Sequence, residues 1–118
     1  MDGEIESEEL RSLLEADEAR VVDIRSPAAF RRGHIPGSEN VPFPSIVENV
    51  ERFADADRIV TVCPHGKSSV QAARLIASYE GFDGQVESFE PGLSGWDGEL
   101  ADGEPETMAA DEGPDAPF

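Results

Sequence analysis

The chain reads as one α/β domain built on a mostly parallel sheet with helices on both faces, and two observations carry that reading. Short β-branched runs alternate with amphipathic stretches, and alternation of this kind requires crossover connections between parallel strands. The best strand, Arg58 through Val62, ends at a single cysteine, after which a short loop leads into the longest helical stretch. With 118 residues, 38% of them apolar, there is material for one core.

Ser7 is placed to cap a first helix whose Leu10, Leu13 and Leu14 share a face. Val21–Ile24 follows as a short buried strand. Ser26-Pro27 predicts a second helix start, with Ser as cap and Pro at the first helical position, where its missing N–H costs nothing. That helix should stop near Gly33, and His34-Ile35-Pro36-Gly37 should turn. Pro44 opens a third helix with Ile46, Val47, Val50 and Phe53 directed inward. After the Arg58–Val62 strand, a helix is expected over residues 69–80 with Ala72, Leu75, Ile76 and Tyr79 on its apolar side. Gly81-Phe82 fits a left-handed stop followed by a hydrophobic anchor. A last strand near Val86–Phe89 leads to a Pro91-Gly92 turn and a short helix carrying Trp96. The folded domain is expected over residues 1–98. Residues 99–118, rich in Gly, Pro and acids, are expected to form a disordered acidic tail.

Charge sets the next limits. Twenty-six acidic residues face nine basic ones, a formal charge of -17. Such a surface repels phosphate backbones and anionic membranes, so neither nucleic acid nor membrane is expected as a partner. No run approaches the ~18 apolar residues of a membrane span, and no basic start precedes an apolar stretch, so a cytoplasmic location is expected. Eight of the nine bases are Arg and one is Lys67. Abundant acid with almost no lysine is the composition expected of a halophilic protein, where molar salt screens self-repulsion.

One cysteine excludes an internal disulfide and, with only two histidines, argues against a dedicated zinc site. No metal or cofactor is expected. The cysteine is therefore weighed by its surroundings, Val62-Cys63-Pro64-His65-Gly66-Lys67-Ser68-Ser69. In open α/β sheets ligands bind beyond the carboxyl ends of the strands. Loop N–H groups and a helix N-terminus there would surround the sulfur with positive potential and lower its pKa from about 8.5. A drop of about two units favours the thiolate by roughly 2.7 kcal/mol. Gly66 supplies a residue tolerant of positive φ, Lys67 a cation, and His65 a second donor. Each of these is an ordinary loop residue when taken alone. Together, around one cysteine at a strand-to-helix junction, they point to a nucleophile.

These segments resemble the rhodanese family. Val21-Val22-Asp23-Ile24-Arg25 with Phe30, and then Gly33 through Pro42, match its N-terminal signature. Cys63-x-x-Gly66-x-Ser68-Ser69 is similar to its active loop, and Glu90-Pro91-Gly92-Leu93 with Trp96 to its C-terminal signature. The likeness covers about residues 3 to 98. It implies a central five-stranded parallel sheet and a sulfurtransferase that carries sulfur as a persulfide on Cys63. The donor would be thiosulfate or a persulfide, and the acceptor a thiol, cyanide or a sulfur-accepting protein. Pro64 through Ser69 would bind the anion, and Asp23 and Arg25 would help hold the loop, or else simply cap the end of their strand; His34 is read as structural. Three positions depart from the pattern: Pro64 where the family often has Arg, Ser68 where many members have Arg or Thr, and Pro91 where Gly is typical.

Two other functions compete. A phosphatase or arsenate reductase uses the same loop logic but needs an Arg six positions after the cysteine, where this chain has Ser69; Lys67 cannot offer a bidentate fork. A non-catalytic rhodanese-like binding module is the other, although inactive members commonly lose the cysteine that is present here.

Overall fold

The computed structural model describes residues 2–103. The expected disordered tail beyond residue 103 lies outside the described residues. The described chain runs β1 (Glu4–Ile5), α1 (Ser7–Ala16), β2 (Arg20–Asp23), α2 (Pro27–Arg32), β3 (Glu39–Asn40), α3 (Ile46–Asn49), β4 (Arg58–Val62), α4 (Ser68–Ala77) and β5 (Gln85–Phe89). Single 3-10 turns at Phe43–Ser45 and Val50–Phe53 flank α3, and another covers Leu93–Gly95. The five strands form one sheet in the order β1-β5-β4-β2-β3, every pair parallel. β4 lies at the centre, so the cysteine that follows it emerges mid-sheet.

Alternation along β4 and β2 divides the core. Val22, Ile59, Cys63, Ile46, Phe53, Ala72 and Ile76 pack on one face, beneath α3 and α4. Val21, Val60, Val62, Leu10, Leu13 and Phe89 pack on the other, beneath α1. Both faces are covered, as a parallel sheet requires.

Local chemistry sets the helix ends. The Ser26 hydroxyl accepts the Ala29 N–H at 3.2 Å with Pro27 in the first turn, as expected for that pair. Ser7 does not cap α1: Glu6 holds the cap position without a side-chain bond, and Asp17 closes the helix at φ 55°. The third helix is broken into one α turn between two 3-10 turns, and Val47 is 63% exposed instead of inward, while Ile46 and Phe53 are fully buried. α4 ends at Ala77, three residues before the expected Glu80, and Gly81 is not left-handed; Phe82 nevertheless anchors the segment in the core.

The chain stays on the domain past Trp96. Ala101 forms a two-way antiparallel bridge with His34, and the Gly103 N–H donates to the Arg31 carbonyl at 2.9 Å. No helix among the described residues is long and apolar enough to cross a membrane.

Candidate active site

β4 delivers Cys63 to the carboxyl edge of the sheet, and the chain must turn at once to enter α4. Gly66 makes that turn at φ +83°, with its N–H donating to Cys63 Sγ at 3.0 Å. There is no room for a side chain: a Cβ on Gly66 would lie 2.0 Å from the Glu90 carbonyl oxygen. The loop rests against the turn that follows β5. Leu93 N–H donates to the Cys63 carbonyl at 2.8 Å and Ser94 N–H to that of Pro64 at 3.0 Å. Gly92, at φ +73°, passes so close that a Cβ there would lie 2.5 Å from His65 Cα.

Cys63 is a free cysteine, 2% exposed. Burial pushes its thiol up, but hydrogen bonds from the Ser69 hydroxyl and from the backbone N–H groups of Ser69, His65 and Gly66 outweigh it. The net result is a thiol held below its ordinary value. The Ser69 hydroxyl lies 3.3 Å from Sγ and 2.7 Å from the Ser88 hydroxyl, and both serines are fully buried. Thr61 Oγ1 donates to the Ser69 carbonyl at 2.7 Å, tying the first turn of α4 to β4.

A cavity of about 330 Å³ opens on the sulfur, lined by Ile24, Arg25, Ala29, Phe43, Cys63, Pro64 and Ser68 among others. The Arg25 guanidinium is engaged: Nη2 donates to Asp23 Oδ2 at 2.8 Å and to the Gly33 carbonyl at 2.6 Å. Asp23 is 1% exposed and also accepts the Arg25 backbone N–H.

Of the residues singled out from sequence, Cys63, Gly66 and Ser69 converge on the sulfur, while Pro64 and Ser68 line the cavity. The His65 side chain pairs at 3.3 Å with the Ser94 hydroxyl, and Lys67 is exposed just before α4. Asp23 and Arg25 bind one another and brace the corner between β2 and α2; Arg25 reaches the cavity as a wall. Thr61, Ser88, Ser94 and Phe43 join the site without having been marked by any motif. A signal existed for Ser88, a small polar residue inside the apolar run Val86–Phe89. No cluster of three or more His, Cys, Asp or Glu that could hold a metal occurs among the described residues.

A parallel α/β sheet whose central strand presents a buried, donor-ringed cysteine defines a cysteine-loop α/β domain. A family profile described as a rhodanese-like domain matches residues 6–99, and the chain belongs to that family. Among its relatives is the thiosulfate sulfurtransferase GlpE of Shewanella oneidensis, 40% identical over 92 residues, covering 75% of this chain and 85% of the relative. GlpE of Pseudomonas paraeruginosa is 40% identical over 93 residues, covering 78% and 81%. The human single-domain sulfurtransferase TSTD1 superposes with a TM-score of 0.67 at 27% identity, covering 75% of this chain and 89% of that one.

Proposed function

We propose that the chain is a sulfurtransferase that moves sulfane sulfur from a donor such as thiosulfate to a thiophilic acceptor through a Cys63 persulfide. The observation that carries the proposal is the Cys63 sulfur, held below its ordinary pKa by converging donors and opening on a cavity. The relatives named thiosulfate sulfurtransferase support it at the level of the family.

In the first step the Cys63 thiolate attacks the outer sulfur of thiosulfate. The new S–S bond forms as the old one breaks, its electron pair leaving with sulfite, and Cys63-S-S⁻ remains. Cyanide or a thiolate then attacks the outer sulfur and departs with it, returning the electron pair to Cys63 as thiolate. The loop N–H groups are already oriented, so they stabilise the anionic sulfur with no reorganisation at the moment of transfer. Lys67, exposed and next in sequence to the cavity-lining Ser68, is the cation offered to the incoming dianion. The proposed setting is the cytoplasm, at high salt, as the composition suggests.

Intact mass tests the cycle. The protein is incubated with thiosulfate in low and in molar KCl and weighed before and after cyanide, beside Cys63→Ser. The expected result is a gain of about 32 Da, one sulfur, discharged by cyanide and absent in the variant. Loading in molar KCl alone would support the halophilic setting. A folded protein that loads from neither thiosulfate nor a persulfide donor would favour a binding module instead.

A further inference from the structure

We infer that Ser88, which lies outside the loop, is a positioning residue for the nucleophile: it turns the Ser69 hydroxyl so that its proton is donated to the Cys63 sulfur. The inference rests on the reading of Cys63 as the nucleophile.

The number of hydroxyl protons sets the direction of these bonds. Ser69 and Ser88 are fully buried, each with one hydroxyl proton to place, and the Ser69 hydroxyl is the side-chain partner of Ser88. With the sulfur ionised, Ser69 donates to Sγ and Ser88 donates to Ser69, so both protons are used. With the sulfur protonated, three protons share the same two contacts, so one is left unpaired, and turning the Ser69 proton toward Ser88 orphans the buried Ser88 proton. An unpaired buried donor is costly. The two-serine chain is therefore complete in the thiolate state and incomplete in the thiol state.

The chain is rigidly placed. Ser88 sits opposite Thr61 in the β4–β5 register, and its N–H donates to the Gly3 carbonyl at 3.1 Å. Thr61 in turn grips the Ser69 carbonyl, so Ser69 is held at both ends, by Thr61 and by Ser88. Once sulfur is loaded, the charge moves to the outer atom and Sγ becomes a neutral bridge. The chain thus acts on the thiolate before loading more than on the persulfide after it.

The test follows the rate of Cys63 alkylation by iodoacetamide against pH. The charged and titratable groups about the sulfur stay the same in every variant: Arg25 with Asp23 across the cavity, His65 and Lys67 in the loop, Glu90 at the end of β5. Ser88→Ala is expected to raise the midpoint by about half a unit, because it removes the bond that fixes the Ser69 hydroxyl and leaves the Ser69–sulfur bond itself in place. Ser88→Thr should bring it back toward the wild-type value. Ser69→Ala should raise it at least as far, and the double variant no further than Ser69→Ala alone, because Ser88 acts through Ser69. An unchanged midpoint in Ser88→Ala overturns the inference, as does a full additional shift in the Ser69→Ala background. Ser88→Val, isosteric with Ser88→Thr but without the hydroxyl, provides a second hydroxyl-free variant should Ser88→Ala not fold, read by the same criterion. Alkylation needs no sulfur donor, so failure of the chain to load sulfur would sink the sulfurtransferase reading and leave this test standing.

Discussion

The Glu90 carbonyl oxygen occupies the space that a side chain on Gly66 would need, 2.0 Å from the Cβ position. The loop that holds the sulfur is thus shaped by the backbone at the end of β5 as much as by its own residues. Gly66→Ala combines that collision with a strained φ of +83°. It should cost about 2–4 kcal/mol in urea unfolding. With the Gly66 N–H displaced from the sulfur, loading from thiosulfate should fall by at least about tenfold. A stable variant that loads at the wild-type rate would contradict this account of the loop.

Cys63 also links stability to pH. Its thiol is lowered in the fold, so the unfolded chain binds the proton more tightly and stability rises with pH between the two values. The contribution is fully present above the ordinary thiol value of about 8.5 and is lost as pH falls through the lowered one. Unfolding free energies of the wild type and Cys63→Ala, measured across that window, should diverge with rising pH. Parallel curves would mean that the thiolate gains nothing from the fold.

Asp23 is buried with Arg25 as its charge partner. Asp23→Ala leaves the guanidinium, itself only 12% exposed, without its counter-charge. The expected loss is about 3–5 kcal/mol, seen as a lower urea midpoint, because one member of a buried pair is left uncompensated. Arg25 walls the cavity, so loading should slow as well.

Lys67 is exposed, and its effect should be electrostatic. Lys67→Gln is expected to lower kcat/KM for thiosulfate about three- to tenfold in low salt, with the two proteins converging in molar KCl as the charge is screened. Stability should change by less than about 0.5 kcal/mol. A deficit that persists in molar salt would point to a direct contact instead.

Local rules carried much of the fold. Ser26-Pro27 is a helix start readable from two residues, and Arg58–Val62 is a strand readable from its β-branched run. Where those rules failed, packing outside the segment decided. β1 and β3 are two-residue strands, too short to show a period, and exist because β5 and β2 offer them free edges. Val47 carries the apolar pattern of a helical face, but the helix breaks into 3-10 turns on either side and rotates it outward.

The candidate site divides in the same way. The chain's own order determined that one cysteine would stand at the end of a buried strand, ahead of a glycine-containing loop and a helix, because those are neighbours along the backbone. Only the tertiary structure decided what surrounds the sulfur: the Glu90 carbonyl behind Gly66, the Leu93 and Ser94 amides under the loop, and Ser88 behind Ser69. These residues lie within or just after β5, beyond α4 from Cys63, and no local pattern reveals which atoms a parallel pairing will bring together. Register does so, by setting Thr61 opposite Ser88 and thereby placing a second hydroxyl within reach of the first.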